Sequence, residues 1–281
     1  MIKHTYLTCF HTILFCLFLC IATRAADIDT VQIYSEAMER EIPAVIITPE
    51  GYQNANRSYP VIYLLHGYSD SYSGWITKAS VVPSLADQHE VIVVMPDGGY
   101  NSWYMDSPVD PDSQYETYVA TEVVAYVDDN YRSLENRSGR AITGLSMGGH
   151  GGLFLGIRHQ DTFGAAGSMS GGVDLTYDIH AWGIADKLGP YNQNPERWDS
   201  LSVVNMVDQI VPGELAIIVD CGIDDFFFEI NRNLHRKLLA AQVPHDYIER
   251  PGRHNWVYWD NAVQYQFLFF SNYFKAQQQS G

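Results

Sequence analysis

The sequence predicts an α/β protein: a mostly parallel sheet with helices packed on both faces. Three observations carry that reading. Short continuous apolar runs recur along the chain, each ended by turn residues. Stretches with helical spacing lie between them. The chain has 281 residues, 46% of them hydrophobic, which is enough to bury the core such a sheet needs.

Residues 1–25 stand apart from this pattern. Lys3 gives a basic start, an apolar run covers Ile13 to Ile21, and the segment ends in Thr23-Arg24-Ala25-Ala26. This is the pattern of an export signal peptide cleaved near Ala25 or Ala26, and the run is short for a membrane span. Residues 26–281 are then expected to form a single domain, secreted or periplasmic, with no stable membrane insertion. Cys9, Cys16 and Cys20 leave with the segment, so Cys221 is left alone and no internal disulfide is expected. Lys3 and Arg24 are the segment's only Lys, Arg, Asp or Glu residues, so losing those two positive charges takes the net charge from −16 to −18. Such a chain repels nucleic acid and anionic membrane surfaces, which leaves no nucleic-acid partner and favours a neutral substrate.

The strand candidates follow in order. Val61-Ile62-Tyr63-Leu64-Leu65 ends at His66-Gly67, and Val91-Ile92-Val93-Val94-Met95 ends at Pro96-Asp97-Gly98-Gly99. Ala141-Ile142-Thr143, Ala165 to Met169, Leu215 to Val219 and Asp246 to Ile248 come later. Runs of this length suit strands buried on both faces. Helical patterns occupy Thr117 to Tyr131 and Ile230 to Leu239. Residues 174–212 break the rhythm. They mix Tyr177, Trp182, Tyr191 and Trp198 with polar residues and two prolines, as an excursion above the sheet would, either a lid or a pocket wall.

The stretch Ile142 to Gly152, ITGLSMGGHGG, crowds five glycines around one serine. It lacks the lysine of a phosphate-binding loop and the spacing of a dinucleotide fingerprint. It does contain G-x-S-x-G as Gly144-Leu145-Ser146-Met147-Gly148, after a strand candidate and before a helix candidate. That context is a nucleophile elbow, a strained turn that lifts the serine above the sheet. A serine hydroxyl needs a base, and the expected order is Ser, then Asp or Glu, then His. Of the histidines after Ser146, His254 sits on a Pro/Gly loop following the last strand candidate, where a triad histidine belongs. His159 and His235 lie in helical patterns, His180 in the excursion, and His245 just before the last strand. Val219-Asp220-Cys221-Gly222-Ile223-Asp224-Asp225 offers three acids: Asp220 at the strand end, where it would orient the loop, and Asp224 and Asp225 in the loop itself. Spacing does not choose among them. An oxyanion hole needs two amides. Leu65-His66-Gly67-Tyr68 places the Tyr68 N–H beside that of Met147, with the His66 side chain read as a brace.

The ordered set LLHGYSDSYSGW, MPDGGYNSWYMDSP, ITGLSMGGHGG, DCGIDDFF and PGRHNWVYW resembles the Putative esterase family of α/β-hydrolases. That family includes carbohydrate esterases of family one (feruloyl and acetylxylan esterases), S-formylglutathione hydrolases, tributyrin esterases and mycolyltransferases. The likeness runs from about Val31 to Lys275. It implies an α/β-hydrolase fold, with Ser146 as nucleophile, His254 as base, Asp225 as acid, and the Tyr68 and Met147 amides as oxyanion hole. By the same likeness Trp75, Trp103 and Trp256 lie near the pocket and are expected to contact substrate. The expected function is an exported serine esterase acting on acetyl or feruloyl groups of plant polysaccharide. The alternatives are a general short-chain esterase, an S-formylglutathione hydrolase-like thioesterase, and an inactive carbohydrate-binding protein on the same scaffold. An export signal argues against a glutathione thioester, whose thiol pool is intracellular. No metal-ligand cluster stands out, so no metal or cofactor is expected.

Overall fold

The computed structural model describes residues 26–280; the expected signal peptide lies outside the described residues. Eight strands form one sheet: β1 (Asp27–Ser35), β2 (Arg40–Thr48), β3 (Val61–Leu65), β4 (Ile92–Pro96), β5 (Arg140–Gly144), β6 (Ala165–Met169), β7 (Ala216–Gly222) and β8 (Asp246–Arg250). Their spatial order is β1-β2-β4-β3-β5-β6-β7-β8. β1 and β2 form an antiparallel hairpin, and β2 runs antiparallel to β4; every other pairing is parallel. The hairpin lies outside the strand candidates: β1 is an edge strand of mostly exposed, mixed residues, whereas β2 carries an apolar run at Ala44 to Ile47 that fits the strand pattern.

The helices are α1 (Gly74–Lys78), α2 (Val82–His89), α3 (Tyr115–Thr117), α4 (Val124–Asn130), α5 (Met147–Arg158), α6 (Ile184–Leu188), α7 (Pro195–Leu201), α8 (Phe228–Ala240) and α9 (Trp256–Ser280). The helix expected over Thr117 to Tyr131 is broken by a π-turn at Tyr118–Val123. Side chains alternate across the sheet, so β3 feeds both layers. Val61, Tyr63 and Leu65 join the layer with Phe154 and Trp198, while Ile62 and Leu64 join the layer with Trp75 and Phe267. The 174–212 excursion packs into the first layer through Leu175, Ile184, Leu188, Trp198 and Val203.

His150 pins this excursion to the sheet. It is fully buried in α5 and stacked on Phe154, with its ring nitrogens 3.1 Å from the Trp103 carbonyl and 3.0 Å from the Leu201 carbonyl. Burial pushes the imidazole down to about 4, against the two carbonyls that favour its protonation. The folded chain therefore holds it neutral. The unfolded chain takes up a proton near pH 6.5 and is favoured as pH falls from there to about 4, by roughly 3 kcal/mol at the end of that window. Above pH 6.5 the group contributes no pH dependence. Denaturant unfolding from pH 7 to 4 should show a shallower loss of stability in His150→Gln than in the wild type.

Candidate active site

Register sets the site before any side chain does. Leu65 of β3 pairs with Gly144 of β5, so the loops leaving these two strands lie side by side. Gly222 of β7 pairs with Arg250 of β8, which does the same for the other two loops. All four loops leave the carboxyl ends of parallel strands, where open α/β sheets place their ligands.

Ser146 stands between β5 and α5 at φ 55°, ψ −114°, a strained conformation for a residue with a side chain. Its amide donates to the Met169 carbonyl at 2.9 Å. The turn is tight enough that a Cβ on Gly148 would fall 2.5 Å from the His66 carbonyl oxygen and 2.6 Å from that of Leu65. One on Gly144 would fall 2.6 Å from the carbonyl oxygens of Gly148 and Leu65. These neighbours are backbone and cannot swing aside, so glycine is required at both places.

The sequence-distant side chains converge. His254 Nε2 lies 2.9 Å from Ser146 Oγ, and His254 Nδ1 lies 2.9 Å and 3.0 Å from the two Asp225 oxygens. The Asp225 carboxylate is fully buried and also accepts the Phe227 amide at 2.8 Å. A carboxylate can only accept, so Nδ1 carries the proton and Nε2 presents its lone pair to the serine hydroxyl. Asp224, the neighbour that spacing alone could not discard, is exposed, and its backbone amide binds the Gly252 carbonyl. Asp220 is buried beneath the loop and bonded to Tyr258 and Arg250, so it does not reach His254.

Gly67 lies against the elbow: a Cβ there would be 3.5 Å from Ser146 Cβ. His66 holds this loop in place. Its Nε2 accepts the Gly98 amide at 2.7 Å, which puts its proton on Nδ1, 2.8 Å from the Gly67 carbonyl. Burial lowers its basicity, so it stays a neutral brace. Among the described residues, neither the Tyr68 nor the Met147 amide donates to a protein acceptor.

A cavity of about 260 Å³ opens over Ser146 and His254, walled by Tyr68, Trp182, Phe226, Trp256 and Trp259, with Asp70 and Lys78 at its side. Two of the three tryptophans expected to contact substrate do not face it. Trp75 is fully buried, its indole donating to the Leu65 carbonyl and its ring supporting Trp256. Trp103 is buried too, donating to the Trp182 carbonyl and packing edge-on against His150. Both are corrected to supports, because each indole N–H finds its acceptor inside the protein. Trp256 does line the cavity. Trp182, in the excursion expected to be a lid or pocket wall, does line the cavity, and Phe226 is the wall residue that was missed; the two rings stack at 6.0 Å, and Phe226 lies 4.2 Å from the His254 ring. Phe226 follows Asp225 directly, which was the only sequence signal for it. Trp182 carries φ 54°, an uncommon conformation for so large a residue. The other histidines take structural contacts: His159 meets Glu116, His235 meets His245, and His180 is exposed.

The profile of the family described as "Putative esterase" matches residues 35–270. The chain belongs to this family. An esterase of Mycobacterium tuberculosis is 28% identical over 236 residues, 74% of this chain. The chain spans only about half (51%) of that protein's length. An acetyl esterase of Caldicellulosiruptor saccharolyticus is 25% identical over 225 residues, covering 75% of this chain and 82% of its own. Among solved structures, a ferulic acid esterase superposes with a TM-score of 0.77 at 29% identity, over 89% of this chain and all of its own. An S-formylglutathione hydrolase from Agrobacterium tumefaciens, 17% identical, shares the fold with a TM-score of 0.78 over 89% of this chain and 96% of its own. These likenesses establish the α/β-hydrolase fold expected from the motifs.

Proposed function

We propose that the protein is an exported serine carboxylesterase working through Ser146, His254 and Asp225. The observation that carries this is the unbroken hydrogen-bonded line from Ser146 Oγ through the His254 ring to the Asp225 carboxylate. His254 Nε2 takes the serine proton as Oγ attacks the ester carbonyl carbon. The carbonyl oxygen becomes an oxyanion held by the Tyr68 and Met147 amides, each free of a protein acceptor among the described residues. The imidazolium, steadied by Asp225, returns the proton to the departing alcohol, leaving an acyl-serine. Water, deprotonated by the same nitrogen, attacks the acyl carbon and frees the acid and Ser146.

The substrate reading is an acetyl or feruloyl ester on plant polysaccharide. Three things support it. The cavity wall is aromatic, suited to a phenolic ring or the apolar face of a sugar. Similar proteins named as an acetyl esterase and a ferulic acid esterase match at 25% and 29% identity. The N-terminal segment has the pattern of an export signal, which would bring the enzyme to polymer outside the cell. A panel of acetyl, feruloyl and butyryl esters, on small alcohols and on xylan fragments, tests it. The expected result is the highest kcat/KM on acetylated or feruloylated xylan fragments. A preference for butyryl esters of simple alcohols, with xylan esters untouched, would replace this reading with that of a general short-chain esterase.

A further inference from the structure

Beneath the catalytic loops lies a buried charge that the reaction does not use. Asp220, near the end of β7, has no solvent-exposed surface. One of its oxygens accepts the Tyr258 hydroxyl, and the other pairs with Arg250 at 2.6 Å. Burial pushes its carboxyl above the usual range, while Tyr258 and Arg250 pull the other way. The Arg250 guanidinium is also held between the rings of Tyr258, 5.1 Å away, and Tyr265, 4.2 Å away, and it bonds to Asn261. Arg250 is the last residue of β8, and Tyr258, Asn261 and Tyr265 belong to the first turns of α9. Both ends of the five-residue loop that carries His254 are thus fastened to one carboxylate on the neighbouring strand.

The acid loop is fastened to the same place. The Ile223 amide donates to the Arg250 carbonyl and the Asp224 amide to the Gly252 carbonyl, each at 2.9 Å. A side chain on Gly252 would run into the Tyr258 ring, so the histidine loop is seated directly on that ring. A buried ion pair is a poor source of net stability, since desolvation offsets its attraction. What it supplies at this junction is fixed geometry.

We infer that Asp220, through Arg250 and Tyr258, is a positioning residue that sets the distance and angle between His254 and Asp225. The inference rests on the triad reading above. The test compares Asp220→Asn and Tyr258→Phe with the wild type on p-nitrophenyl acetate, and times labelling of Ser146 by a fluorophosphonate. Tyr258→Phe removes one oxygen and keeps the ring under Gly252, so it serves even where Asp220→Asn fails to fold. The expected result is a kcat roughly 10- to 100-fold lower in Asp220→Asn, with a smaller drop in Tyr258→Phe. KM should stay within about twofold and the labelling rate should fall in parallel, since both rates need the imidazole aligned with the hydroxyl. Normal kcat per titrated serine, with loss appearing only as fewer active molecules or a lower Tm, would overturn the inference. Ser146→Ala keeps the two readings apart. Turnover surviving in that variant removes the triad itself, whereas a silent Ser146→Ala beside wild-type Asp220 and Tyr258 variants removes only the positioning role.

Discussion

Ser146→Ala is expected to lower kcat on p-nitrophenyl acetate by about six orders of magnitude while leaving the melting temperature close to that of the wild type. Removing a serine nucleophile from a comparable triad has an effect of that size, because the remaining groups no longer act as a unit. The fold should not notice the change. Among the described residues the only side-chain bond of Ser146 Oγ is to His254, and alanine meets the same backbone demand at φ 55° that serine does. The same comparison excludes a carbohydrate-binding protein that merely inherits the scaffold. In the wild type a fluorophosphonate should label one serine, and in the variant none. Labelling that is absent from the wild type, or turnover undiminished in the variant, would remove the serine mechanism.

What the sequence revealed of this arrangement follows from physical cause. β3 and β4 were legible because parallel strands bury both faces, so Val61 to Leu65 and Ile92 to Pro96 appear as unbroken apolar runs. β1 escaped because an edge strand faces water and carries no such run, whereas β2 does carry one, Ala44 to Ile47, and belonged among the strand candidates. The elbow was legible because glycines 144 and 148 answer a local crowding that leaves a local mark. The cavity wall left no comparable mark. Trp75 and Trp103 sit in motifs near the site, yet each points inward to a carbonyl that only the assembled fold brings within reach. Trp182 lies in an aperiodic excursion, and its place at the cavity depends on Phe226, forty-four positions later and on another loop. The buried Asp220 pairs with an arginine thirty residues on, which no short-range pattern encodes.

Asp225→Asn is expected to cost about four orders of magnitude in kcat, and Asp224→Asn to leave it within about twofold. The two acids are adjacent, so their contrast isolates geometry from charge. Asparagine at 225 fits the same pocket and can still accept the Phe227 amide through its carbonyl oxygen. Its NH2 group then faces His254 Nδ1, and two donors cannot share one hydrogen bond. The ring relieves the clash by moving its proton to Nε2, the nitrogen 2.9 Å from Ser146 Oγ. That nitrogen now donates to the serine and has no lone pair with which to take its proton. The defect lies in the tautomer, so substrate binding and fold should survive it, with KM and melting temperature near wild type. At position 224 the side chain is exposed and the backbone amide already satisfies Gly252, so neutralising it disturbs neither bond. Steady-state kinetics of the two variants on one ester decide the matter: a large loss at 224 with little at 225 would transfer the acid's role and break the hydrogen-bonded line on which the mechanism stands.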